Sequence, residues 1–184
     1  MMDATTRTHY DNLSAADGTV RYAAYTAILA TTEQSVDWAY EVWDELVARL
    51  YHENNHQRSI AAQLLCNLAK SDPKQRILND FDVLLNATRD KMFVTARHSL
   101  QALWKIGIAG IPQREMLVAG LTHRFADCRG EKNCTLIRSD IVQGLRQLFE
   151  AVQDEAIRER ALTLIATEED EKYRKKYASI WKKA

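Results

Sequence analysis

Helical periodicity restarts along this chain at nearly constant intervals, and that recurrence restricts its folds more than any single motif does. Thr19 to Ala24, with Ala27 and Ile28, can be laid over His56 to Ala61, with Leu64 and Leu65, one interval further on. The next interval brings Arg97, Ser99, Leu100, Leu103 and Trp104 into register, and the one after it brings Ile137, Arg138, Ile141 and Leu145. One arginine recurs in each unit: Arg21, Arg58, Arg97 and Arg138. Units of about 40 residues that repeat in this way bury their apolar faces against neighbouring units rather than around one centre.

Inside the units the apolar spacing is that of an α-helix. Ala39, Val42, Trp43, Leu46, Val47 and Leu50 follow the i, i+3, i+4, i+7 series of one buried face. The same template fits Ile60 to Leu68, Ile77 to Leu85, Phe93 to Trp104 and Ile137 to Val152. No stretch alternates as a strand would, and only six glycines and two prolines interrupt the 184 residues. The pattern predicts an all-α chain with helices over 17–31, 35–51, 55–71, 73–89, 91–108, 112–127, 134–152, 154–166 and 168–183. Asp72-Pro73 offers a capping acceptor before a proline at the first helical position, and Pro112 stands in the same role in the following unit. The final helix differs in kind. Thr167 to Asp170 place a hydroxyl and acids at its start, and Lys182 and Lys183 end it, both matched to the helix dipole. Its sizeable apolar residues are Tyr173, Tyr177, Ile180 and Trp181, one narrow stripe suited to a terminal cap.

A two-helix unit of about 40 residues, with an arginine early in the second helix, resembles the HEAT repeat of the armadillo-like families. The residues that carry the resemblance are Asp17-Gly18-Thr19-Val20-Arg21-Tyr22-Ala23-Ala24, which look like the start of that family's second helix; the likeness extends from Thr19 to Ile165. It departs in the fourth unit, where Ile141 replaces a small alanine and Asp154 to Arg158 repeat the signature only half a period after Arg138. The last unit and cap, about 153–184, are therefore irregular. The resemblance implies a single domain over 1–184, a right-handed α-α superhelix whose second helices line a concave face. It also implies a non-enzymatic scaffold or adaptor that binds a protein or peptide there. Candidate residues on that face are Arg21, Tyr25, Arg58, Arg97, Gln101, Lys105, Arg138 and Arg146.

Two roles compete for the arginine ladder. Each guanidinium can lock neighbouring units together through carbonyls and acids, or the row can form a positive stripe for phosphates, which makes a nucleic-acid-binding module the alternative function. Bulk charge gives no help, because 25 basic and 25 acidic residues balance at pI about 7. Trp43 and Trp104 belong to the apolar stripe and are expected inside, whereas Trp38, Tyr22 and Tyr25 are expected to be partly exposed. Met1 to Thr6 carry no basic-then-apolar leader, and no run of roughly 18 apolar residues occurs. No membrane association and a cytoplasmic location are expected. Three cysteines, an odd number, point to a reducing compartment. Cys66 lies in an apolar helix, while Cys128 and Cys134 bracket a short loop and can close a small disulfide or join a metal site; no ligand pair accompanies them, and they are read as thiols.

His52-Glu53-Asn54-Asn55-His56 spells the HExxH of zinc peptidases, which requires both imidazoles on one helical face. Asn54-Asn55 favours an inter-helix turn instead, because asparagine competes for backbone hydrogen bonds. The glycine-rich phosphate loops and the GxSxG elbow are missing from the sequence. Alkylpurine DNA glycosylases are HEAT-like enzymes, and Asp90 or Asp140 would be the acid in such a reading, but no motif here matches theirs. No catalytic residue, metal or cofactor is expected.

Overall fold

The computed structural model describes residues 1–182, so Lys183 lies outside the described residues. Among them the chain is all-α, with no strand. The helices are α1 (Ala4–Asn12), α2 (Gly18–Thr31), α3 (Ala39–Arg49), α4 (Asn55–Leu68), α5 (Ile77–Asn86), α6 (Phe93–Ala102), α7 (Ile111–Asp127), α8 (Cys134–Val152), α9 (Glu155–Ala166) and α10 (Glu171–Lys182). Tight 3₁₀ turns extend α4, α5, α6 and α7 at their C-terminal ends. None of these helices is long and apolar enough to cross a membrane.

Four helix starts depart from the sequence reading, among them α10, which begins at Glu171 rather than 168, after Asp170, whose Oδ1 accepts from the Lys172 N–H at 2.8 Å. α1 is absent from that reading: Asp3 caps it, accepting from the Thr5 and Thr6 N–H groups at 3.0 and 2.9 Å, but its buried apolar anchor is little more than Tyr10. α3 starts at Ala39 rather than 35. α5 starts at Ile77 rather than at Pro73, because the chain first turns through Gln75, whose φ of 54° is left-handed. Asp72 still caps across that turn, its Oδ2 accepting from the Ile77 N–H at 2.8 Å. Pro112 occupies the first turn of α7, as its spacing predicts.

The chain divides into two compact units, Met1–Ala102 and Leu103–Ala184. In the first, α1 packs on α2, α3 on α4, α4 on α2 and α6, and α5 on α6. Leu13, Ile28, Leu46, Leu64, Leu65 and Ile77 fill its core together with Trp43, whose indole N–H donates to Asp80 Oδ2 at 2.8 Å. Trp38 is buried rather than partly exposed, because it stands at the N-cap of α3 instead of inside an extended helix.

In the second unit α8 packs against α7, α9 and α10. Leu117, Leu121, Phe125, Ile141, Leu145 and Ile157 form the core. Trp104 is only half-buried rather than inside: it falls in the 3₁₀ stretch Leu103–Ile108, where the 3.6-residue spacing that placed it in the core does not hold. α10 docks through Tyr177 and Trp181, the rings of Phe125 and Phe149 meeting them at 6.4 and 5.6 Å. The Tyr177 hydroxyl donates to the Thr135 carbonyl at 2.9 Å, and burial pushes its phenol up to about 12. Cys128 and Cys134 are joined in a disulfide, not separate thiols. The 3₁₀ turn Cys128–Gly130 folds the chain back so that their Cα atoms lie 5.1 Å apart, and these two cysteines no longer argue for a reducing compartment. Cys66 is buried, as expected.

Candidate functional site

The site is built from the N-terminal turns of α2, α4 and α6 in the first unit. Asp17 caps α2, its Oδ1 accepting from Thr19 N and Val20 N at 2.7 and 3.3 Å, which sets Arg21 one turn into the helix. There Arg21 Nη1 donates back to the Ala15 and Ala16 carbonyls at 2.7 and 3.4 Å. Asn54 caps α4 by accepting from His56 N at 2.8 Å, leaving the His56 imidazole exposed in the first turn. The three helices enclose an open groove of about 300 Å³, walled by Arg21, Tyr22 and Tyr25 from α2, His56, Ser59 and Gln63 from α4, and His98 from α6.

A chain of hydrogen bonds floors the groove. The Tyr25 hydroxyl donates to Gln63 Oε1 at 2.6 Å, Gln63 Nε2 donates to the Ser59 carbonyl and Oγ at 3.1 Å each, and Ser59 Oγ meets His98 Nδ1 at 3.3 Å. Burial raises the Tyr25 phenol above its ordinary value, so it stays a neutral donor. Tyr22 is 70% exposed and stands on the rim. Ser59 and His98 are at the separation of a nucleophile and a base, but Gln63 occupies the hydroxyl, and no carboxylate bonds to His98 among the described residues. The arrangement can hold a ligand by stacking, hydrogen bonds and one guanidinium.

The sequence-chosen residues divide between this groove and other places. Arg21 and Tyr25 are in it. Arg58, on the same helix as Ser59, is buried and turned to Asp90, with Nε and Nη2 on the two carboxylate oxygens at 2.5 and 2.9 Å and Nη1 on the His52 and Glu53 carbonyls at 2.7 and 2.8 Å. Burial pushes the Asp90 carboxyl up, but the Arg58 guanidinium and the Met92 N–H outweigh it and hold the group below the usual carboxylate value. Arg97 is half-buried on α6 with Gln101 exposed one turn on, and Lys105 is half-buried in the second unit; all three have partners of their own. Arg138 is buried, donating to the Phe125 carbonyl at 3.1 Å and to Glu168 Oε2 at 2.8 Å, and lies over the Phe125 ring. Arg146 pairs with Glu150 at 2.7 Å beside the Trp181 ring. A larger cavity of about 490 Å³ lies between α7 and α9, where Arg114 is already paired with Asp154 at 3.2 Å.

Sequence reasoning passes over His56, Ser59, Gln63 and His98 as site residues. A signal for them exists: Tyr25 and Gln63 are 38 residues apart and Ser59 and His98 are 39 apart, so each pair is separated by about one repeat. The His52–His56 pair does not share a helix. His52 precedes the Asn54 cap and its Nδ1 accepts from Asn54 N at 3.0 Å, while His56 begins α4. No group of three or more histidine, cysteine, aspartate or glutamate side chains is placed to hold a metal among the described residues. No protein-family model and no curated protein matches the chain.

Proposed function

We propose that this protein is a HEAT-like repeat scaffold, a right-handed α-α superhelix, that acts by binding a protein or peptide in the groove of α2, α4 and α6 rather than by chemistry. The observation that carries the reading is the groove itself: an exposed aromatic, Tyr22, beside a guanidinium and a fixed row of hydrogen-bonding side chains. Aromatic and arginine anchors of that kind dominate peptide recognition. The repeat interpretation draws support from Arg21 and Arg58, which reach back to the carbonyls six and five residues earlier in the same way.

Nucleic-acid binding through the whole arginine row is the weaker reading, because Arg58, Arg138 and Arg146 are each tied to a carboxylate of the chain. A phosphate binder of that type would lose duplex DNA steeply between roughly 50 and 200 mM salt.

Selection of displayed random peptides on the purified protein tests the proposal. Enriched peptides should bind Tyr22→Ala about tenfold more weakly, a hot-spot-sized loss. Tyr51→Ala should bind them normally, since Tyr51 is equally exposed at 71% but lies outside the groove. Failure to enrich any peptide, or equal loss at both tyrosines, refutes it.

A further inference from the structure

Arg21 and Arg58 occupy equivalent positions in successive units, and comparing them atom by atom shows what the groove lacks. Both spend Nη1 on the carbonyls six and five residues earlier. In Arg58 the remaining edge, Nε and Nη2, grips the carboxylate of Asp90. Asp90 precedes α6 and accepts from the N–H two residues on, Met92, at 2.8 Å. The residue in that place before α4 is His52, three residues ahead of the helix as Asp90 is, with Nδ1 accepting from the N–H two residues on, Asn54, at 3.0 Å. Where an aspartate precedes α6, an imidazole precedes α4.

The Nε and Nη2 edge of Arg21 makes no hydrogen bond or ion pair to any described residue. Asp17, the acid whose titration feels Arg21, has its Oδ1 committed to capping α2. Gly18, beside the guanidinium, puts no side chain over it: a Cβ there would lie 3.6 Å from Nη2. The groove that Arg21 enters has no acidic residue in its wall, which Gly18 and Ile60 complete. A planar fork held at one end by two carbonyls and open at the other is preorganised for a bidentate carboxylate.

Resting on the binding role proposed above, we infer that the partner is an acidic peptide segment, and that one of its aspartate or glutamate carboxylates seats on the Nε/Nη2 edge of Arg21, supplying from outside the contact that Asp90 supplies to Arg58. The peptide's neighbouring side chain lies against Tyr22. About 300 Å³ accommodates one or two side chains, not a folded surface.

The experiment is an array of acidic peptides, each paired with the counterpart in which glutamine and asparagine replace the acids, titrated against wild type, His52→Asp, Arg21→Ala and Tyr22→Ala. His52→Asp is the decisive variant, because an aspartate there accepts from Asn54 N as Asp90 accepts from Met92 N, and the exposed position leaves the fold intact. It gives the start of α4 the acid that the start of α6 has in Asp90. Wild type should favour acidic over amide peptides by about tenfold, as an accessible bidentate pair would, and both His52→Asp and Arg21→Ala should bring that ratio to within about twofold. Equal binding of acidic and amide peptides by wild type, with loss at Tyr22→Ala, overturns the carboxylate inference while leaving the docking groove standing. Preference for phosphoserine peptides over acidic ones, or Arg21-dependent retention of duplex DNA, overturns it in favour of a phosphate ligand. Absence of any Tyr22-dependent binding removes the groove as a docking site altogether.

Discussion

Replacing Arg58 by alanine should be among the most damaging single changes in the first unit. Its side chain is 10% exposed and that of Asp90 is 7% exposed, so truncation strands a carboxylate away from water and removes a donor from the His52 and Glu53 carbonyls. Breaking a buried pair of this kind costs about 3 to 5 kcal/mol, and the slight residual exposure sets the expectation at about 3 kcal/mol. For a chain of this length that corresponds to a fall in Tm of roughly 6 to 12 °C. Asp90→Asn keeps the bond from Met92 N while removing the charge, and the double variant should be less destabilised than the sum of the two by at least ~1 kcal/mol. Arg21→Ala is the internal control: half-buried and bonded to carbonyls alone, it should cost under about 1 kcal/mol. Urea unfolding followed by circular dichroism measures all four. Because the Asp90 carboxyl is held below its ordinary value, its contribution is present at neutral pH and disappears as the pH falls below about 4 toward the folded-state value. The wild-type advantage over Asp90→Asn should shrink over that window. A loss at Arg58 no greater than at Arg21, with no coupling to Asp90, would refute the reasoning.

Gly107→Ala should destabilise the second unit by about 1 to 3 kcal/mol in thermal unfolding, since a Cβ there would lie 2.8 and 2.9 Å from the Leu148 methyl carbons and 3.1 Å from a Leu117 methyl. Tyr177 titrates only near pH 12 in the folded protein, so its stabilising effect relative to Tyr177→Phe should be intact below about pH 10 and vanish as the pH rises from there to 12; spectrophotometric titration of the phenolate with parallel melting curves reads both. Reduction of Cys128–Cys134, or the Cys128→Ser, Cys134→Ser double variant, should lower stability by about 2 kcal/mol, the loop-closure value for a ring this small. A fall large enough to unfold the chain would show that the bridge does more than restrain one turn.

Periodicity makes most helices legible because their apolar stripes are long: α8 carries Ile137, Ile141, Leu145 and Leu148 on one face, all buried. It fails where an element is short or a turn is chemically specified. α1 gives too few apolar positions to establish a period, and the start of α5 depends on a left-handed Gln75 and on Asp72 bonding five residues ahead, which spacing does not encode. The arginines are visible as a recurrence, but their partners are not. Asp90 is 32 residues from Arg58 and Glu168 is 30 from Arg138, and only the folded chain brings them together. His56 stands out in the sequence for a metal motif it does not form. Its actual place, one wall of a groove, depends on Asn54 ending the turn and starting the helix.

Asp90 has two duties, holding the turn that leads into α6 through Met92 and the guanidinium of α4 through both oxygens. Opening of the turn before α6 therefore releases the loop carbonyls of His52 and Glu53 that Arg58 secures, so the turns leading into α4 and α6 open as one event. Amide protons on either side of this shared acid should exchange with deuterium at matched rates, a kinetic signature of coupled opening between segments that lie far apart along the chain.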